Sequence, residues 1–118
     1  MVKVYTSQFS YRGPNRLDTT VKSGDKTFAP SWEMVMGIKN GTLSEEGYTD
    51  QYVERMRNSY RQNKSRWEEV LNMGEVVLVC YCNKDKFCHR KLLARLLAKG
   101  FDEAEYVGEV DRDGQLIH

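Results

Sequence analysis

The chain contains few of the residues that mark disulfide-rich or metal-binding proteins. It has 118 residues, with three cysteines, two prolines and two histidines. An odd cysteine number argues against a disulfide framework. The first ten residues, "MVKVYTSQFS", lack the apolar core of a secretion signal. We therefore expect reduced thiols and a cytoplasmic location.

Long apolar runs and strong net charge are also lacking. The longest apolar run, residues 76–82, is far too short to cross a bilayer, so no membrane partner is expected. The formal net charge of +1 gives no strong indication of nucleic-acid binding. Hydrophobic residues make up 40% and charged residues 30%, as is ordinary for one globular domain spanning residues 1–118. No pattern indicates a cofactor or an oligomeric state.

Strand patterns occur at both ends of the chain. Val2 and Val4 alternate with polar neighbours, which predicts a first strand. "RLDTTVKSG" contains a β-branched run that favours a short second strand. "EVVLVCYC", residues 75–82, is continuously apolar, which is typical of a central strand covered on both faces. "AEYVGEV", residues 104–110, predicts a last strand.

Helix patterns fill the middle and recur after residue 87. Ser31 is expected to cap a helix ending at Asn40 and Gly41, and Ser44 to cap one over residues 45–63. Ser65 and Glu68 fit a capping box. The second helix has a stripe that we assign to the core: Tyr48, Tyr52, Met56 and Tyr60. With a further helix over residues 88–100, the alternation predicts a three-layer α/β domain with a mostly parallel sheet.

All three cysteines lie in "CYCNKDKFCHR", together with His89. Three thiolates and an imidazole are the right donors for tetrahedral zinc. The spacing does not fit, because no Cys-x₂₋₄-Cys turn is present and Cys88 and His89 diverge by about 100° at a helix start. We predict no metal site, and a zinc-stabilised domain stays an alternative. Cys80 is expected in the core.

Cys88 is the cysteine with the strongest functional position. It stands at the start of a helix, where the dipole and the backbone N–H groups favour a thiolate. Two interpretations stay open: Cys88 as a catalytic nucleophile with His89 as base or anion contact, or Cys88 as a small residue beside an anion site. A phosphatase-type loop is excluded because the sixth residues after Cys80 and Cys82 are Lys86 and Cys88, not arginine.

Three stretches together resemble a known family: "VYTS", "FAPSWEMVMGIKNGTLSEEGYTDQY" and "VLVCYCNKDKFCHRKLLARLL". They are similar to domain-of-unknown-function family number 488, in a short form of the bacterial or phage type. The resemblance implies a Rossmann-like three-layer fold with a pocket at the strand ends, and it implies no activity. The positions that match its motifs are Tyr5, Thr6 and Ser7 at a first-strand turn, and Cys82, Cys88, His89 and Arg90.

A ligand site is expected where the first strand and the 76–82 strand end. There, Thr6 and Ser7 would approach Cys82 and Arg90, and this set suits a small anionic molecule such as a nucleotide or sugar phosphate. Arg12 would add a second anion contact, or be an ordinary exposed charge. Tyr11 or Trp32 would stack on a base, or belong to the core.

Two function classes follow from these residues. The first is a protein that binds an anionic ligand and has thiol chemistry; whether it is an enzyme stays open. The second is a non-catalytic interaction module, viral or not, in which the Cys-His-Arg motif is structural. The motif contains no acid, so catalysis would need Asp18 or Glu109 to be supplied by the fold.

Overall fold

Four strands and four helices make up the part of the chain that the computed structural model describes, residues 1–81, 87 and 89–117. The strands are β1 (Val2–Gln8), β2 (Arg16–Asp18), β3 (Glu75–Cys80) and β4 (Ala104–Glu109). The helices are α1 (Trp32–Asn40), α2 (Glu45–Gln62), α3 (Lys64–Leu71) and α4 (His89–Gly100). They run in chain order from β1 and β2 through three helices to β3, α4 and β4.

The strands form one parallel sheet in the order β2-β3-β1-β4. β3 lies between two strands, as its continuous apolar sequence predicts. β1 and β3 are neighbours, as predicted, and Gln8 stands beside Cys80 where both strands end. Their carboxyl ends, with that of β4, therefore share one edge of the sheet.

The two faces of the sheet are covered differently. Val76 and Leu78 lie in a core cluster with the buried apolar residues of all four helices. Val77 and Val79 point to the opposite face, where Tyr11, Val110 and the loop after β1 cover them. The predicted Rossmann-like α/β fold with a parallel sheet is confirmed. Among the described residues, helices cover the face with Val76 and Leu78, and loop segments instead of helices cover the face with Val77 and Val79.

The starts of α1 and α2 agree with the sequence. Ser31 accepts a hydrogen bond from the Met34 N–H, and Ser44 accepts one from the Gly47 N–H. Gly41 ends α1 with φ 75°, a left-handed conformation that glycine adopts without a steric penalty. Of the predicted core stripe on α2, three residues are buried and Tyr60 is half-buried.

Two predicted boundaries are wrong. α3 begins at Lys64, directly after Asn63, and no side chain caps it, so the Ser65–Glu68 capping box does not form. β2 ends at Asp18 instead of running to Val21. The Asp18 carboxylate accepts bonds from the N–H and hydroxyl of Thr20, and this local turn competes with strand pairing.

The segment between β2 and α1 is fixed to α2 by three hydrogen bonds. In each, a side chain of α2 donates to a backbone carbonyl: Tyr52 to Phe28 (2.7 Å), Arg55 to Ala29 (2.8 Å) and Ser59 to Thr27 (2.6 Å). Backbone carbonyl groups outside helices and strands need such partners when they are shielded from water. This segment is therefore held in place beside the carboxyl edge of β2.

None of the helices in the described part of the chain is long and apolar enough to cross a membrane.

Candidate functional site

The carboxyl edge of the sheet carries a buried ion pair between α4 and β4. The Arg90 Nε donates to Glu109 Oε1 at 3.2 Å and its Nη2 donates to Oε2 at 2.8 Å. The Arg90 side chain is 0% exposed and that of Glu109 is 10% exposed. This is the two-point geometry in which guanidinium and carboxylate bind most strongly. The fold thus supplies one of the two acids that the motif lacks.

Arg90 also reaches the end of β3. Its Nη1 donates to Cys80 Sγ at 2.9 Å. Because β1 lies between β3 and β4, the guanidinium crosses the end of β1 and joins its two neighbours. Cys80 is buried, as predicted, but it is disulfide-bonded, which corrects the expectation of reduced thiols for this residue; its bond partner is not among the described residues.

His89 is buried beside the loop after β2. Its Nε2 lies 2.6 Å from the carbonyl oxygen of Thr19 and 3.0 Å from the Thr19 hydroxyl. The Thr19 hydroxyl donates to the Val79 carbonyl, so Nε2 carries a proton and donates to Thr19. The ring of Tyr52 packs 5.7 Å away, centroid to centroid.

The pKa of His89 is lowered from 6.5 to about 4. Burial is the main cause and the charge of Arg90 adds to it, while the Thr19 bond and Asp18 act in the opposite direction. The imidazole is therefore neutral at pH 7. The Nε2–H of this neutral ring donates a hydrogen bond to the Thr19 carbonyl, and this bond fixes the start of α4 against the end of β2. This geometry favours a positioning role for His89.

Asp18 is the second acid that the fold brings to this edge. Burial raises the pKa of its carboxyl, but bonds from Thr20 and Ser23 and the charge of Arg16 outweigh burial and leave the pKa lowered. Asp18 is therefore ionised at neutral pH. Its charge acts on His89, whose pKa it raises.

Thr6 and Ser7 lie at the expected edge, but inside β1 rather than in a turn after it. Their side chains point to opposite faces, as strand geometry requires. The Thr6 hydroxyl is 2.8 Å from the Tyr106 hydroxyl, and the Ser7 hydroxyl donates to the Val110 carbonyl at 2.7 Å. Both are buried, so their hydroxyls connect β1 to β4 and to the chain that follows it.

The other predicted contacts lie in the loop after β1 and at the start of α1. Arg12 is exposed in the loop after β1. Tyr11 is buried in the second core cluster, and Trp32 is 54% exposed at the start of α1. The predictions for Cys82 and Cys88 fall outside the described residues and stay predictions. So does the zinc alternative, since the described residues alone contain no group that would hold a metal.

Sequence reasoning named Glu109 as an acid that the fold would have to supply but did not pair it with Arg90, and it missed Thr19 as the partner of His89. Glu109 ends β4 and pairs in register with Thr6, so applying the strand-end argument to the last strand would have placed it at the site. Thr19 follows β2 in the same way. It also missed Phe9 and Tyr81, the residues directly after β1 and β3, whose rings stack.

A model of one protein family matches residues 2–100 of the chain. The family is DUF488-N3a, described as the active DUF488-N3 subclade. The match includes β1, β3 and α4 and ends before β4, so Glu109 lies beyond it. No curated protein and no solved structure matches the chain.

Proposed function

The chain belongs to the DUF488 family, as its resemblance indicates, and from this premise we propose that it binds a small anionic molecule at the carboxyl edge of its sheet. The ligand class is a nucleotide-like or phosphorylated compound. Of the predicted contacts, Arg12 and Cys82 are proposed to touch the ligand, whereas Thr6, Ser7 and Arg90 are buried and are proposed to support the edge from within the fold. Open parallel sheets bind their ligands at this edge.

One observation carries the proposal: the buried pair of Arg90 and Glu109. Removing two charges from water is costly, and apolar residues of similar volume often serve a core equally well. The fold alone therefore does not require this pair. Buried charges with a neutral buried histidine beside them, at the ligand edge of a parallel sheet, are typical of functional sites.

The preference for an anion depends on groups other than Arg90 alone, because Glu109 compensates its charge. Arg12 is exposed in the loop after β1, and its backbone N–H donates to the Arg112 carbonyl in the chain that follows β4, so its side chain is available to a phosphate at this edge. The first backbone N–H groups of α4, which begins at His89, favour negative charge in addition. In this arrangement, Arg90 positions α4 over the strand ends, and Arg12 contacts the phosphate.

Thiol chemistry at Cys88 is the second candidate function. Asp18 and Glu109, the acids that the motif lacks, both lie at the edge where α4 begins. With His89 in a positioning role, the Cys88 thiolate would be stabilised by the helix start. In protein treated with a reductant to open the Cys80 disulfide, iodoacetamide should then modify Cys88 well below pH 8, and slow labelling equal to that of the other cysteines contradicts this function.

The ligand-binding proposal is tested on the purified full chain. Denaturing the protein and analysing the released compounds by mass spectrometry should identify a phosphorylated molecule. Ligand-free protein should then gain thermal stability from adenosine monophosphate (AMP) or ribose 5-phosphate and not from ribose. Arg12→Ala should remove this gain. Arg95→Ala, an exposed arginine further along α4, is the matched control and should retain it.

Absence of a co-purified phosphorylated compound, together with no thermal shift from either phosphate at millimolar concentration, contradicts the proposal. That result would favour the alternative of a non-catalytic interaction module. An equal loss of the shift in Arg12→Ala and Arg95→Ala would show that binding depends on total charge rather than on this site.

A further inference from the structure

Phe9 and Tyr81 form an aromatic pair that the sheet itself aligns. Gln8 and Cys80 are the last register partners of β1 and β3, so the next residues of the two strands stand side by side. Their ring centroids are 4.3 Å apart with 29° between the planes. Neighbouring strands lie about 4.8 Å apart, so the spacing of the strands matches that of stacked rings.

Arg16 supports this pair from the other side. Its guanidinium carbon lies 4.4 Å from the centre of the Phe9 ring. A guanidinium and a ring that are both this close to one centroid cannot share a face, so Arg16 and Tyr81 cover opposite faces of Phe9. Arg16 is held by donating to the carbonyl oxygens of Tyr11 (3.1 Å) and Phe9 (3.0 Å). The result is a three-layer stack in the order Arg16, Phe9, Tyr81.

Tyr81, the outer ring of this stack, is exposed to solvent. It keeps 60% exposure although Phe9 stacks on its ring. Among the described residues, no second ring packs against it. An aromatic face that is rigidly supported and left in water at a ligand edge is what a stacking partner requires.

We propose that Tyr81 is a stacking platform for the base of a nucleotide. This inference depends on the proposed function and narrows its ligand class from phosphorylated compounds to those that carry a planar heterocycle. Every base presents a π-face, and stacking on an aromatic side chain contributes to binding whichever base it is. For the phosphate of the nucleotide, Arg12 is exposed in the loop that follows Phe9.

There is also space for the sugar beside the stack. A cavity of about 180 Å³ opens between the ends of β1 and β4. Its polar lining residues are Ser7, Gln8, Ser10, Asp111 and Arg112. Hydroxyl, amide and carboxylate groups suit the hydroxyls of a sugar and the guanidinium suits a phosphate, whereas the stack suits the planar face of a heterocycle. The two features lie next to one another because Gln8 and Phe9 are consecutive.

Calorimetric titration of the full chain tests the platform. The ligands are AMP, uridine monophosphate (UMP), ribose 5-phosphate and adenosine. Tyr81→Ala should weaken binding of both nucleotides by roughly 5- to 100-fold, the range of base–aromatic stacking, and leave ribose 5-phosphate unchanged. Tyr81→Phe keeps the ring and should bind within about twofold of the natural protein. Met73→Ala removes an exposed apolar side chain at the opposite edge, just before β3, and should bind normally.

The outcomes separate the two proposals. If both nucleotides bind Tyr81→Ala as tightly as the natural protein, the platform is overturned and the phosphate site stands. If no phosphorylated compound binds, the proposed function fails, and adenosine then decides on the platform: binding that Tyr81→Ala abolishes supports it, and no binding overturns it. Tyr81→Ala loses the stack with Phe9 but no buried side chain, so it should unfold only a few degrees below the natural protein, and loss of binding is then not loss of fold.

Discussion

Arg90 and Glu109 are two residues that depend on one another for their burial. Removing one partner leaves the other charge buried and unpaired, which lowers the free energy of unfolding by about 3–5 kcal/mol. We therefore expect Glu109→Gln to lower the free energy of unfolding by about 3 kcal/mol in urea denaturation. The double variant Arg90→Met, Glu109→Leu should recover at least half of that loss, because it removes both charges.

A loss below about 1 kcal/mol in Glu109→Gln would show that the carboxylate is not the main partner of Arg90. Arg95→Met provides the control for removing an exposed arginine from the same helix, and it should change stability by less than about 0.5 kcal/mol.

His89 makes stability depend on pH in a defined window. The unfolded chain takes up a proton at His89 below about pH 6.5, whereas the folded chain does so only below about pH 4. Between these values the unfolded state binds more protons, so stability falls as the pH falls, by up to about 3 kcal/mol in total. Urea denaturation at pH steps from 7 to 4 measures this slope.

His89→Gln should flatten the slope between pH 6.5 and 4, and His118→Gln, at the only other histidine, should retain it. The aspartates with lowered pKa act at lower pH, since Asp18 and Asp25 protonate in the unfolded chain near 3.8. A slope that persists unchanged in His89→Gln would contradict the assignment to this residue.

Among individual residues, the sequence correctly placed His89 and Arg90 at the start of α4, but it did not identify the groups that they bind. Arg90 could be placed at a helix start because the apolar pattern of α4 is local. Its pairing with Glu109 depends on the register of β4, which shifts between Val4 and Tyr5 of β1. A register shift in a parallel strand leaves no local sequence pattern, so the strand-end argument brings Glu109 to this edge but does not predict its pairing with Arg90.

The serine caps of α1 and α2 are expected to stabilise these two helices. Ser31 and Ser44 each accept a bond from an N–H in the first turn, so alanine at either position should cost about 1 kcal/mol. Ser65→Ala removes the same hydroxyl from α3, where no side-chain cap exists, and should cost less than about 0.5 kcal/mol. Urea denaturation of the three variants gives the comparison, and an equal loss in all three would contradict it.

The elements that sequence patterns predicted well are those with their own end signals. Gly41 and Ser44 bound the turn between α1 and α2, and both act as expected. The start of α3 was misplaced because Asn63 alone separates it from α2, which leaves no room for the Ser65 capping box. The end of β2 was misplaced because Asp18 forms a turn with Thr20, although the residues that follow favour strand.

At the scale of the molecule, residues 110–117 close the face of the sheet that the helices leave uncovered. Val110 is buried, its carbonyl accepts the Ser7 hydroxyl, and Leu116 folds back to pair with it. A chain that stops after Glu109 should therefore lose at least about 2 kcal/mol of stability, from exposed apolar surface and an unpaired hydroxyl. An unchanged midpoint in urea would show that this segment does not stabilise the sheet.

β3 lies at the centre of the sheet but late in the chain. β1 and β2 both pair with it, and they do not pair with each other. While the chain is being synthesised, the first 74 residues can form three helices but no sheet, because neither early strand has its partner. Val2, Val4 and Leu17 thus stay exposed until residue 80 has left the ribosome, and a pause in translation before that point prolongs the period in which the nascent chain is open to aggregation.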